Sequence, residues 1–132
     1  MAFAVLGAAE VVSAHPDHTA AFKLLTDYAV ALPEPSDDLA WPWPEPRLAY
    51  ANAVFADAMI AAGVALEAPK LWQRGLELLA WLLAMETADG RLSPTPAGGR
   101  GPGDPRPGFD QQPIEVAALA DACARAAAVD PS

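Results

Sequence analysis

The sequence predicts an all-α fold, and three observations carry that reading. Apolar residues recur at spacings of three and four in five separate stretches. No stretch alternates apolar and polar residues as a half-buried strand does. The 14 prolines fall mainly in two connectors, 33–46 and 94–113, and at helix starts, so they separate helical blocks.

The first helix spans about 3–14, with Val5, Leu6, Ala9, Val11 and Val12 on a broad apolar side. Pro16 restarts the chain, and His15 or Asp17 is placed to cap a second helix over about 16–32. Phe22, Leu25, Ala29 and Leu32 share its face, and Pro33-Glu34-Pro35-Ser36 ends it. Pro46 suits the first position of a third helix, about 46–66, because its fixed φ is helical and no N–H is needed there. Leu48, Asn52, Phe55, Met59 and Ala62 form its stripe. Gly63 costs about 1 kcal/mol relative to alanine in a helix interior, which implies a close helix contact at that point.

Pro69 opens the fourth helix, about 69–87. Its leucines, with Trp72 and Gly75, cover most of the circumference and predict burial on several sides. Ala88-Asp89-Gly90 reads as a turn. The segment 94–108 is a Pro/Gly loop with Arg91, Arg100 and Arg106 in or beside it. Pro113 opens the fifth helix, about 113–129, with Gln112 at the cap position and Glu115 three residues on, a loose capping box.

The connectors suggest a site. Short links join helices one to two and three to four, which makes antiparallel hairpins. If the helices alternate strictly, the first, third and fifth run the same way and both long connectors reach one rim. Glu45 and the run Phe109-Asp110-Gln111-Gln112-Pro113-Ile114-Glu115 then share that rim at helix N-termini. Sugar chemistry uses pairs of carboxyl groups, so Glu45 with Asp110 or Glu115 is the candidate acid–base pair. Trp41, Trp43 and Tyr50 offer ring faces for a pyranose, while Asn52, Gln111 and Gln112 can hold hydroxyls. The same groups also read as helix caps and apolar pins for the loop. Asn52, on an apolar stripe, must find a partner in any case.

At 132 residues the chain makes one domain. A net charge of −9 argues against nucleic acid and anionic membranes, and favours a neutral or cationic ligand, although acidity also serves solubility. Cys123 is alone, so no intrachain disulfide forms, and a reducing cytoplasm is the natural setting. No run approaches the ~18 apolar residues of a spanning helix. Residues 1–14 lack a basic leader and read as a core helix, not a signal peptide. His15 and His18 have no third ligand nearby, so no metal is expected. Gly98-Gly99-Arg100-Gly101 lacks the strand and helix of a phosphate loop, so no cofactor is expected either.

The runs Trp41-Pro42-Trp43 to Glu45, Leu48-Ala49-Tyr50-Ala51-Asn52-Ala53, Gly75-Leu76 to Trp81-Leu82, Gly90-Arg91-Leu92-Ser93-Pro94 and Phe109 to Glu115 together resemble a bacterial helical domain found beside or behind glycosyltransferases. That domain is similar to the (α/α)6 toroids of six-hairpin glycosidases and N-acylglucosamine 2-epimerase relatives. The resemblance covers most of 38–127. It implies inner helices one, three and five, a sugar or nucleotide-sugar-derived ligand at the rim, and a glycosyltransferase partner. The chain departs from the pattern at Ala51, where an acid is usual, and at Arg91-Leu92, where the family tends to carry His-Phe. These departures favour the alternative of a non-catalytic scaffold. The chain also spans two and a half hairpins of a twelve-helix ring, which implies either a fragment or a homo-oligomer that covers the apolar flank of the fifth helix.

Overall fold

The computed structural model describes residues 1–105 and 108–130, so Arg106 lies outside the described residues. Five helices form: α1 Ala2–Ala14, α2 Thr19–Ala31, α3 Ala53–Ala65, α4 Pro69–Met85 and α5 Pro113–Val129. A two-strand antiparallel ribbon, β1 Thr87–Ala88 and β2 Arg91–Leu92, folds back around Asp89-Gly90. The fold is therefore helical, with a strand pair too short to show in the apolar pattern. Among the described residues no helix is long and apolar enough to cross a membrane.

α3 is the axis of the molecule. It packs against α4, α1 and α5, while α2 rests mainly on α1. From Ala53 to Gly63 every α3 residue except Phe55 is buried, including Asp57. The alanines at 53, 56, 58, 61 and 62 make this possible, because small side chains let three helices approach one backbone. Gly63 is the extreme case: a Cβ there would collide with the backbone of Trp72. Gly75 of α4 likewise faces Ile60 and the carbonyl of Ala56. The close contact expected at Gly63 is thus a hairpin seam between α3 and α4.

Several local expectations need correction. α4 is not buried on several sides; its buried residues, Gly75, Leu78, Leu79 and Leu82, lie on one face. The helix surrounded on all sides is α3. α2 begins later than Pro16 and is capped by neither His15 nor Asp17: His18 Nδ1 accepts the Ala21 N–H at 3.2 Å. α3 begins at Ala53, seven residues after Pro46. The intervening chain pairs instead with the other long connector, where tertiary hydrogen bonds outweigh the local signal of a proline start.

Aromatic rings pin the first connector. Trp81 of α4 meets Trp41 edge-on at 5.2 Å between centroids and stacks on Trp43 at 5.9 Å. Trp43 also meets Phe55 of α3 at 5.6 Å. The indole N–H of Trp41 donates to the Glu45 carbonyl at 2.9 Å, which folds 41–45 into a tight arch. Both tryptophans are buried, so the arch is part of the core.

Among the described residues three acids are buried: Asp57, Glu86 and Glu115. Asp57 of α3 accepts from Arg125 Nε of α5 at 2.6 Å, and Glu10 of α1 approaches the same guanidinium at 3.4 Å. Burial raises the Asp57 carboxyl above its ordinary value, and the Arg125 bond and charge oppose that rise. The other two, Glu86 and Glu115, lie toward the start of α3.

Candidate functional site

The two long connectors meet at the start of α3. Leu48 donates its N–H to the Arg100 carbonyl at 2.8 Å, and Arg100 returns the bond at 2.9 Å. Gly99 makes this approach possible: its φ is 75°, and a Cβ there would meet the Leu48 carbonyl oxygen. The second connector then doubles on itself, with Pro96 bridging Gln111 and the Ala97 N–H donating to the Asp110 carbonyl at 2.9 Å. Arg47 and Asp104 close the outer edge at 2.9 Å.

Glu115 joins this assembly to α5. Its carboxylate accepts the Ala51 N–H at 2.5 Å and, at 3.1 Å each, the Asn52 N–H and the Asn52 side-chain amide. Asn52 Oδ1 in turn accepts the Ala49 N–H at 2.8 Å. Ala51 is held at a φ of 48°, left-handed backbone that a non-glycine residue adopts only at a cost. The reward is that two successive N–H groups converge on one carboxylate at the positive end of α3. Glu115 therefore caps α3, not its own helix. Gln112 holds the cap position of α5, but its side chain makes no capping bond.

A cavity of about 240 Å³ opens beside this junction. Its lining includes Trp43, Glu45, Tyr50 and Asn52, together with Phe55 and the beginning of α1 around Ala2 and Phe3. The starts of α1, α3 and α5 thus gather at one end. At the other end a groove is lined by their later turns, including Val12, Val64 and Val129. The parallel course of these three helices, inferred from connector lengths, agrees with this arrangement.

The structure brings some predicted site residues together and separates others. Trp43, Glu45, Tyr50 and Asn52 share the cavity, with Tyr50 64% exposed. Glu115 lies directly behind Asn52 with both carboxylate oxygens engaged. Trp41 is turned into the core against Trp81. Gln111 donates to the Ser93 hydroxyl at 3.0 Å, which places it toward the β1–β2 ribbon. Asp110, at a φ of 63°, and Gln112 are exposed on the second connector and do not line the cavity.

Sequence reasoning missed Glu86. It follows α4 directly and is 1% exposed. Its Oε1 accepts the Thr95 N–H at 3.1 Å and the Thr95 hydroxyl at 2.6 Å, which ties the second connector to α4. Its Oε2 is buried without a hydrogen-bond partner among the described residues. Burial raises the Glu86 carboxyl above the ordinary glutamate range; the Thr95 bonds oppose the rise, nearby Glu115 adds to it, and Arg100 opposes it. A signal was present: Leu79, Leu82 and Glu86 fall on one helical face, so the acid continues a buried stripe.

Comparison with known protein families, with curated proteins and with solved structures gave no match to this chain.

Proposed function

We propose that this chain is a carbohydrate-binding helical domain whose cavity at the start of α3 receives a sugar ring. The observation that supports it is the composition of that cavity, whose lining includes Phe3, Tyr50 and Phe55 together with Glu45, with buried Trp43 behind them. Apolar pyranose faces pack on aromatic rings, and a carboxylate accepts hydroxyl protons. Binding without turnover is favoured, because hydrolysis by two carboxyl groups needs both within reach of one bond. Glu45 lines the cavity, Asp110 does not, and Glu115 is committed to backbone N–H groups.

The same reading places the chain as an arc of an α/α toroid, associated with glycan synthesis beside a glycosyltransferase. The packing of α1, α3 and α5 side by side, with α2 against α1 and α4 against α3, supports that order of inner and outer helices. A scaffold reading rests on a different observation. Phe109 on the second connector and Val116 in the first turn of α5 are exposed and available to a protein partner.

Titration with mono- and disaccharides at millimolar concentration, followed by tryptophan fluorescence, separates the two. A saturable response that Tyr50→Ala weakens by roughly fivefold, equivalent to about 1 kcal/mol of ring contact, supports carbohydrate binding. No response to any sugar leaves the scaffold.

A further inference from the structure

A second surface lies at the opposite end of the molecule from the sugar cavity. A groove of about 570 Å³ is bounded there by α1 and α5, with α3 between them. Its lining is mostly apolar, with Val12 of α1, Ala61 and Val64 of α3, and Ala128 and Val129 of α5. Val64 is 49% exposed, and it is the one exposed residue of a helix that is otherwise buried or half-buried. We propose that this groove docks a basic amphipathic helix of another protein, whose apolar side lies on Val64 and Val129 and whose lysines or arginines meet Glu10 and Glu67. Such docking is independent of sugar binding at the other end.

Charge selects the occupant. α1 and α3 contain no lysine or arginine, and α5 contains only Arg125. That guanidinium is in the lining, but it is already shared by Asp57 at 2.6 Å and Glu10 at 3.4 Å, with Asp121 near the pair. Glu67 adds an exposed carboxylate at the edge, so acids outnumber the one cation. The last turns of α1, α3 and α5 also line the groove and carry no basic residue, so their carbonyl ends add negative potential. α2 and α4 begin at this end, yet no residue of either helix lines the groove. His18 caps the start of α2, and Lys70 of α4 lines a separate groove beside Val30.

A second copy of this chain is disfavoured as the occupant, because each copy carries −9 and two acidic surfaces repel. Lysine and arginine suit the groove in both of their parts. Their methylene stems cover valine and alanine, while their charged heads stay at the wet edge. A helix whose apolar face lies in a groove between others follows ordinary helix packing.

The test is methyl-detected NMR of the full chain at about pH 8, where histidine is uncharged. Three synthetic peptides serve as probes: an amphipathic leucine–lysine helix, its leucine–glutamate counterpart, and a scrambled leucine–lysine sequence without helical periodicity. The leucine–lysine helix is expected to shift the methyls of Val12, Val64 and Val129. It is expected to bind at least tenfold more tightly than the other two, a difference of about 1.4 kcal/mol. Val64→Arg puts a cation in the last turn of α3, where the helix end favours it, and circular dichroism checks that the fold is kept. Binding to this variant is expected to fall at least tenfold. Val30→Arg makes the same charge change on exposed α2 surface outside the groove, and affinity is expected to change by less than about twofold. Equal losses in the two variants would mean that net charge alone attracts the peptide, and shifts that miss Val64 and Val129 would put it elsewhere; either overturns the docking site. Equal binding of the glutamate or scrambled peptide overturns the basic-helix assignment, as does a peptide-free dimer with these methyls at its interface. Absence of binding by the leucine–lysine helix overturns the proposal outright.

Discussion

Glu115 and Glu86 are two buried carboxylates at the same end of the molecule, and they do opposite things. They are almost equally buried, at 3% and 1% exposed. Glu115 receives three donors on two oxygens, all from the turn that starts α3. Glu86 receives two donors on one oxygen, both from Thr95, and its other oxygen has none among the described residues. The difference shows that depth alone does not set the role of a buried acid. The count and placement of donors make Glu115 an organiser of the cavity wall and leave Glu86 as a desolvated, half-satisfied anchor.

The largest expected effect comes from breaking the first acid. Glu115→Ala leaves three donors buried without an acceptor at the head of the central helix. A loss of about 3 kcal/mol or more in unfolding free energy is expected by chemical denaturation. Glu115→Gln sharpens the comparison, because it keeps the shape and removes the charge. One amide oxygen can accept, but its NH₂ faces N–H groups, so a loss of about 2 kcal/mol is expected.

Breaking the second acid acts in the other direction. The folded-state pKa of Glu86 is raised, so the fold favours its protonated form. That stabilising contribution is complete below the unfolded value, about 4.3, and is lost as pH rises through the folded value. Glu86→Gln keeps an acceptor for Thr95 and lacks the ionisation. Its Tm at neutral pH is expected to exceed that of the parent by up to a few degrees, with the two converging in acid. Asp57, also raised by burial, gives the parent a second loss of the same sign, so Glu86→Gln flattens only part of the pH profile. Thermal melts across the acid-to-neutral range check both statements.

The smallest effect tests the backbone at the junction. Ala51→Gly relieves left-handed strain and adds freedom to the unfolded chain, so the terms partly cancel. A net gain of up to about 1 kcal/mol is expected. A loss instead would mean that the side chain of Ala51, which is buried, contributes more packing than its conformation costs.

Much of the architecture was legible because prolines mark it. Pro69 and Pro113 open α4 and α5 where the sequence places them, since at a first helical position proline sacrifices no hydrogen bond. Pro46 carries the same local signal and opens nothing. There the deciding information lies some fifty residues away, in Gly99 and Arg100, and no local pattern can report it. The convergence of the connectors was readable from their lengths, but the cavity is lined by the first connector, through Trp43, Glu45, Tyr50 and Asn52, with the starts of α1 and α3, and by no residue of the second connector. The partner of Glu115 was not readable, because a capping box is a local pattern and the actual bonds cross between helices. Asp110 and Gln111 look alike in sequence to cavity residues, yet the turn at Asp110 sends them elsewhere.

Hydrogen–deuterium exchange at the Ala51 and Asn52 amides probes the junction on which the cavity depends. Both are expected to exchange as slowly as amides in the middle of α3, and to become fast in Glu115→Ala while the middle of α3 stays protected. Exchange in the parent protein as rapid as that of the exposed Phe109–Asp110 segment would contradict it, because the carboxylate would then not be holding the start of α3 to α5.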